Sequence, residues 1–304
     1  MRTVGPFAIS ERAEGHEAMT RAPAERTFRG VRLPALLYGT AWKEERTANL
    51  VRAALGQGFR GIDTANQRRH YFEAAVGEAV AAAIAGGEIT RGDLFLQTKF
   101  TYAAGQDHRL PYDPRAPLAE QVRQSLASSL EHLRTDYVDS YLLHGPSRRD
   151  GLGPADEEVW RAMEELQRAG RTRLIGVSNV TAAQLAALHA RAAVKPAFVQ
   201  NRCYARDGWD RDVRAFCRAH EIVYQGFSLL TANTRELALP AVRGVIARAR
   251  RSTGPVVFRF AMQVGMVPLT GTSNEDHMRE DLACLEIELS GADLRTIETA
   301  GARN

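Results

Sequence analysis

Eight short apolar runs, each separated from the next by a longer segment of helical period, set the strongest constraint on how this chain folds. The runs are Leu33–Gly39, Gly61–Ala65, Leu94–Phe100, Val138–His144, Leu174–Asn179, Phe198–Tyr204, Ile222–Leu230 and Met266–Gly271. Most are nearly continuous, as expected of parallel strands buried on both faces. Between them, Leu118, Val122, Leu126, Leu130 and Leu133 recur at spacings of four and three, one stripe of an amphipathic helix. Thr181-Ala-Ala-Gln184 has the pattern of a capping box, and Ser290-Gly-Ala-Asp293 resembles one ahead of the last helix. Gly56 and Gly58 are expected to end the first helix, where positive φ is needed. Eight βα units close into a barrel, whereas five or six would suggest an open doubly wound sheet. The expected architecture is therefore α/β: a single-domain (β/α)₈ TIM barrel over residues 27–304. Residues 1–26 sustain no period and are expected to form a short N-terminal extension. Thr27–Leu33, centred on Gly30, is expected to form a small hairpin before the barrel.

Charge and cysteine content narrow the function classes. The 40 basic and 36 acidic residues nearly balance, for a net charge of +4. The longest basic cluster, Arg248-Ala-Arg-Arg251, is short, lacks aromatic partners and reads as a solvated helix end, so no nucleic-acid partner is expected. Cys203, Cys217 and Cys284 have no CxxC spacing, which argues against a disulfide framework or a zinc site and fits a reducing cytosol. No run approaches the roughly 18 apolar residues of a membrane span. The N-terminal residues interrupt their apolar positions with charges, unlike a signal peptide. A cytoplasmic enzyme without membrane or metal partners is the expectation; no close histidine cluster marks a strand end.

In a βα barrel, reaction centres sit where the strands end and their following loops begin. Three neighbouring runs carry polar residues as they stop: Asp63 lies near the end of the second, Lys99 closes the third and His144 the fourth. Each alone has an ordinary reading as a solvated cap or a satisfied core residue, but three on adjacent strands about 4.8 Å apart converge on one pocket. Tyr71 follows in the loop after Asp63, just before a helix. Beside a lysine cation its phenolate is favoured and its pKa is expected to fall. Asp63 would hold Lys99 charged, and His144 would donate a hydrogen bond to a carbonyl oxygen. Such a set delivers a proton to a carbonyl that receives hydride.

These residues lie in segments that resemble the aldo-keto reductase family. The matching pieces are Gly61-Ile-Asp-Thr-Ala65, Tyr71 with Glu73 and Val76-Gly-Glu-Ala79, Thr98-Lys99, Leu142-Leu-His144, Gly176-Val-Ser-Asn179, Gln200, Gly226-Phe-Ser228, and Gly271-Thr-Ser-Asn274 ahead of Glu280-Asp281. They span about residues 30–300 in the family's order. The resemblance implies a catalytic tetrad of Asp63, Tyr71, Lys99 and His144, with NADPH extended across the barrel mouth. It implies that Ser178, Asn179 and Gln200 grip the nicotinamide carboxamide and that Phe227 stacks on its ring. Ser228 and Leu230 would line the pyrophosphate path. Thr270, Gly271 and Thr272, with His277, Arg279 and Asp281 on the following helix, would take the adenosine phosphate. The implied reaction is reduction of a small aldehyde or ketone by a monomer.

Two departures stand out. The family's tyrosine usually lies five residues after the aspartate, where this chain has Arg68; Tyr71 is eight residues on. A short loop insertion accounts for the shift, with His70 as an alternative proton donor. Second, no lysine or arginine stands at Gly271–Ser273, where many NADPH-selective members carry one, so NADH is not excluded. On the substrate side, Trp42 follows the first strand, and the loop from Thr101 to Pro117 carries Tyr102, His108 and Tyr112. With Asn304 soon after the last helix, an open pocket that accepts bulky carbonyls is expected. The competing reading is a cofactor-binding barrel subunit or sensor with little turnover, supported by the displaced tyrosine.

Overall fold

A computed structural model describes residues 24–301. The segment 1–23, most of the expected extension, lies outside the described residues. Strands β1 (Glu25–Phe28) and β2 (Val31–Pro34) pair antiparallel. Arg29 and Gly30 join them with φ of 46° and 78°, the left-handed pair that matches the twist of a two-residue hairpin. Strand β1 begins at Glu25, two residues inside the segment read as extension. The run Leu33–Gly39 also divides: its first residues belong to the hairpin, and the barrel strand starts at Leu37. Proline, lacking an N–H, cannot continue a central ladder, and Pro34 sits at that division.

Eight parallel strands close the barrel: β3 (Leu37–Gly39), β4 (Gly61–Asp63), β5 (Phe95–Phe100), β6 (Val138–Leu143), β7 (Thr172–Ser178), β8 (Phe198–Arg202), β9 (Val223–Phe227) and β10 (Met266–Thr270). Each pairs with its chain neighbour, and β10 closes on β3. The outer layer is α1 (Thr47–Gln57), α2 (Glu73–Ala85), α3 (Leu118–Leu133), α4 (Pro154–Arg168), α5 (Ala182–Arg191) and α6 (Arg211–Ala219), followed by α7 (Thr234–Leu237), α8 (Pro240–Ala249), α9 (Thr253–Gln263), α10 (Glu275–Leu282) and α11 (Gly291–Glu298). Gly58 caps α1 at φ 108°, whereas Gly56 lies inside that helix. The Thr181 capping box and the Ser290 cap form as the sequence suggests.

Two apolar cores result. The larger fills the space between strands and helices. The smaller lies inside the barrel, where Phe95 and Phe198 pack edge to face at 5.6 Å and the hairpin's Val31, Leu33 and Phe28 close the bottom. Above this plug the lining turns polar, with Asp63, Gln97, Lys99, Gln200 and Gln225 all buried. Gly77 draws α2 tightly against α3, because a Cβ there would overlap the His132 carbonyl.

Candidate active site

The ends of β4, β5 and β6 bring Asp63, Lys99 and His144 together as the apolar runs imply. Lys99 is fully buried, and its Nζ donates to both Asp63 carboxylate oxygens at 2.7 Å and to the Thr64 carbonyl at 2.8 Å. Burial pushes the lysine pKa down, opposed by Asp63. His144 donates its backbone N–H to Phe100, and its Nδ1 lies 2.7 Å from Thr101 Oγ1. Burial first, and Lys99 second, push the imidazole pKa down to about 3. The ring is therefore neutral at physiological pH. Among the described residues, the Thr101 hydroxyl hydrogen has no acceptor other than His144 Nδ1. With the Thr101 hydroxyl as donor to Nδ1, the ring proton sits on Nε2, which is then itself a donor.

Tyr71 joins this cluster from the loop between β4 and α2. Its backbone N–H donates to Gln67 O at 2.9 Å, and its ring meets His144 edge to face at 6.0 Å. Lys99 Nζ lies 5.2 Å from the ring centroid, without a hydrogen bond to the phenol. The expected fall of the Tyr71 pKa does not hold in this state. Burial pushes the phenol well above the ordinary tyrosine value, and the charge of Asp63 adds to the effect. The Lys99 protons are directed at Asp63 and Thr64, so the lysine favours a Tyr71 phenolate only by its charge. His70 is drawn aside, with Nδ1 3.0 Å from Gln67 Oε1 and its ring stacked on Trp42 at 4.0 Å.

A cleft of about 810 Å³ opens over these residues, bordered by Trp42, Asp63, Tyr71 and His144. It continues past Ser178, Asn179, Gln200, Phe227, Ser228 and Leu230 to Thr270, Gly271, Thr272, His277 and Asp281. Volumes of that order suit an organic ligand or cofactor. Three bordering residues hold left-handed backbone: Trp42 at φ 61°, Asn179 at 56° and Ser228 at 57°, the strain typical of ligand sites. Ser178 donates its hydroxyl to Gln200 O at 2.6 Å and accepts from Asn179 Nδ2 at 3.1 Å. It therefore acts here as a brace for Asn179. Among the described residues, Asn179 Oδ1 and Gln200 Oε1 have no donor.

Three expected contacts fall elsewhere. The Tyr102 hydroxyl donates to Asp156 Oδ1 on α4 at 2.9 Å, and His108 is exposed; neither borders the cleft. In the loop they occupy, Tyr112 is buried and donates its hydroxyl to Thr101 O at 2.6 Å, and the Tyr102 ring packs on Phe100 at 5.4 Å. Arg279 points away and pairs with Asp276 at 3.1 Å. The structure adds residues that the sequence did not single out. Lys43, next to Trp42, is buried, borders the cleft and donates to the Gly271 and Thr272 carbonyls. Burial and Arg46 push its pKa down to about 8. Its place in the loop that follows the first barrel strand was the available signal. Arg202 ends β8 over the Phe227 ring, 5.7 Å from its centroid.

The model of the Aldo/keto reductase family matches residues 35–302. The chain belongs to the aldo/keto reductase family. It is 29% identical over 296 residues to aldo-keto reductase family 1 member C3 of Pongo abelii, covering 88% of this chain and 87% of that protein. It is 31% identical over 293 residues to NADPH-dependent codeinone reductase 1-4 of Papaver somniferum, covering 88% and 86%. A solved aldo-keto reductase in complex with NADPH superposes with a TM-score of 0.78 at 26% identity, covering 93% of this chain and 89% of that one. Aldo/keto reductases are NAD(P)H-dependent oxidoreductases of small carbonyl compounds, and this barrel is an enzyme of that class. NADPH is the family's cofactor. No helix of this aldo/keto reductase, among the described residues, is long and apolar enough to cross a membrane. Among the same residues, no group of three or more His, Cys, Asp and Glu could hold a metal ion.

Proposed function

We propose that this aldo/keto reductase reduces an aldehyde or ketone with NADPH, using Tyr71 as general acid and His144 as the donor that orients the carbonyl oxygen. The observation that carries the reading is the pair of Tyr71 and His144 bordering one cleft above the buried Asp63–Lys99 pair. When bound, the reduced nicotinamide supplies hydride to the carbonyl carbon. The chain's own groups handle the oxygen and its proton. Neutral His144, with Nε2–H as donor, positions the oxygen and polarises the carbonyl. Burial keeps the Tyr71 phenol protonated at neutral pH, so it is ready to donate. The phenolate left behind lies beside the Lys99 cation, which stabilises it.

The cleft suits a nicotinamide dinucleotide. Asn179 Oδ1 and Gln200 Oε1 are acceptors for a carboxamide N–H₂. Phe227, half-buried at the cleft wall, offers a ring face, and Lys43 with Ser228 and Leu230 suits a pyrophosphate path. Thr270, Gly271 and Thr272, with His277 and Asp281, form the adenosine end.

Loss of the reduced cofactor's near-ultraviolet absorbance with a panel of aldehydes and ketones tests the reading. Turnover is expected, and Tyr71→Phe is expected to lower kcat by about 10²- to 10⁴-fold with NADPH affinity, followed by fluorescence, unchanged. An unchanged rate in Tyr71→Phe, with loss in His70→Ala, would move the acid to His70. Tight NADPH binding without reduction of any carbonyl would make the chain a cofactor-binding sensor.

A further inference from the structure

Beneath the acid cluster, three glutamine side chains form a closed ring with Asp63. Gln97 Nε2 donates to Asp63 Oδ1 at 2.7 Å and to Gln225 Oε1 at 2.8 Å. Gln200 Nε2 donates to the same two oxygens, at 2.9 and 3.0 Å. Gln225 Nε2 returns a bond to Gln97 Oε1 at 3.0 Å. The carboxylate dictates the orientation of every amide in the ring. Ionised Asp63 only accepts, so Gln97 and Gln200 must both turn their nitrogens toward it. Their second N–H bonds then need an acceptor, which is the Gln225 carbonyl. Asp63 Oδ1 thus receives three donors: Lys99, Gln97 and Gln200.

Gln97 and Gln225 are fully buried and do not border the cleft. Gln97 lies two residues before Lys99 on β5, so both side chains point into the barrel. Three polar amides directly above the apolar plug of the barrel sacrifice apolar packing there. A purely structural role would need only mutual satisfaction, whereas this ring directs two N–H dipoles at one carboxylate oxygen.

We propose that Gln97, held by Gln225, is a positioning residue that sets the charge balance of the Asp63–Lys99 pair and through it the acidity of Tyr71. The positive end of the Gln97 amide lies against Asp63 and lowers the negative potential felt by every nearby titrating group. Those groups are Asp63 from β4, Tyr71 and His70 from the following loop, Glu73 from the start of α2, Lys99 from β5 and His144 after β6. The neighbouring strands β8 and β9 contribute amides here, Gln200 and Gln225. Removing the Gln97 dipole therefore moves the Lys99 and Tyr71 titrations up together. The inference rests on the reading of Tyr71 as the acid for its kinetic consequence, but not for its electrostatic one.

The chain has three lysines, Lys43, Lys99 and Lys195, so lysine labelled with ¹³C at Cε gives a spectrum in which Lys99 is identified by its loss in Lys99→Met. The Lys99 signal would be followed from about pH 6 to about pH 11 in the wild type, in Gln97→Met, which keeps the volume but removes the donor, and in Gln97→Glu. Losing one hydrogen bond to a charged group is expected to raise the Lys99 midpoint by about one unit in Gln97→Met, and by more in Gln97→Glu, where a carboxylate replaces the donor. With carbonyl substrate, kcat at pH 7 should fall about tenfold and its alkaline limb should move up, while KM and the NADPH dissociation constant stay within about twofold. A Lys99 midpoint and an alkaline limb both unmoved in Gln97→Met overturn the proposal, as does a loss confined to KM. If no carbonyl is reduced and the midpoint still moves, the functional reading fails while the electrostatic role stands. If carbonyls are reduced and the midpoint stays put, the electrostatic role of Gln97 fails while the functional reading stands.

Discussion

The two ends of the cleft are built on different principles. At the acid end, Asp63, Lys99 and His144 each have fixed partners within 2.9 Å, and Asp63 and Lys99 are nearly or wholly inaccessible to solvent. At the adenosine end, Gly271, His277 and Glu280 are exposed, Arg279 pairs outward, and among the described residues Thr270 to Asp281, at 2.6 Å, is the one fully buried bond between two side chains. One end is a preorganised electrostatic device whose dipoles are already in place. The other is a surface that must admit a long ligand and release it. Under the proposed reading, the chemistry falls to the side of the barrel whose polar side chains are already bonded to one another, and the far end of the cofactor to the exposed loop after β10 and the first turn of α10.

That contrast predicts a difference in stability. Replacing Lys99 with Met leaves a buried carboxylate without its counter-charge, a loss of about 3 kcal/mol or more for a broken buried pair. Gln97 and Gln200 keep the cost from rising further. Denaturant unfolding at neutral pH should show the loss, and the double variant Asp63→Asn with Lys99→Met should recover most of it. A double variant no more stable than the single would show that the pair is not the source. Among the described residues, the His144 ring makes one hydrogen bond, to Thr101. Thr101→Val removes the hydroxyl that fixes its tautomer, and kcat for carbonyl reduction is expected to fall about tenfold, the loss of one hydrogen bond. NADPH affinity should not change. An unaltered kcat would mean that the ring holds its Nε2 proton without help.

How far the sequence reveals the molecule follows the same division. The eight strands were legible because doubly buried strands are continuous apolar runs, and Asp63, Lys99 and His144 were legible because they interrupt such runs at their ends. Where one run concealed two elements, as in Leu33–Gly39, the proline at its second position was the overlooked signal. The Tyr71 titration was not legible, because burial is a tertiary quantity and here it outweighs a lysine whose protons are directed elsewhere. Tyr102 and His108 were misplaced because a loop's direction depends on what it packs against; Asp156 on α4 holds Tyr102. Gln97 and Gln225 drew no notice because a single amide inside an apolar strand carries no periodic signal. Only the fold shows that they belong to one ring.

The smallest expected effect lies at the open end and sharpens the contrast most directly. NADPH and NADH differ by one phosphate on the adenosine ribose, so their affinity ratio reports the charge of this wall alone. Among the described residues bordering the cleft, the lysine and arginine side chains are Lys43, tied to the Gly271 and Thr272 carbonyls, and Arg202 beside Phe227. Glu280 and Asp281 also border it, and burial pushes the Asp281 carboxyl up to about 6, leaving it ionised at neutral pH. A full positive charge at position 277, in the exposed first turn of α10, would offset those carboxylates. His277→Arg is expected to tighten NADPH by about three- to fivefold, the worth of a solvent-exposed charge pair, and to leave NADH unchanged. The gain should shrink as salt rises toward molar concentration, where screening shortens to about 3 Å. Fluorescence titration of both cofactors at low and high salt reads all three quantities. If both cofactors tighten equally, position 277 senses the shared pyrophosphate. If neither changes, the adenosine phosphate lies elsewhere on this surface. In either case the acid end should be indifferent, because its charges are already paired and buried beyond the reach of salt.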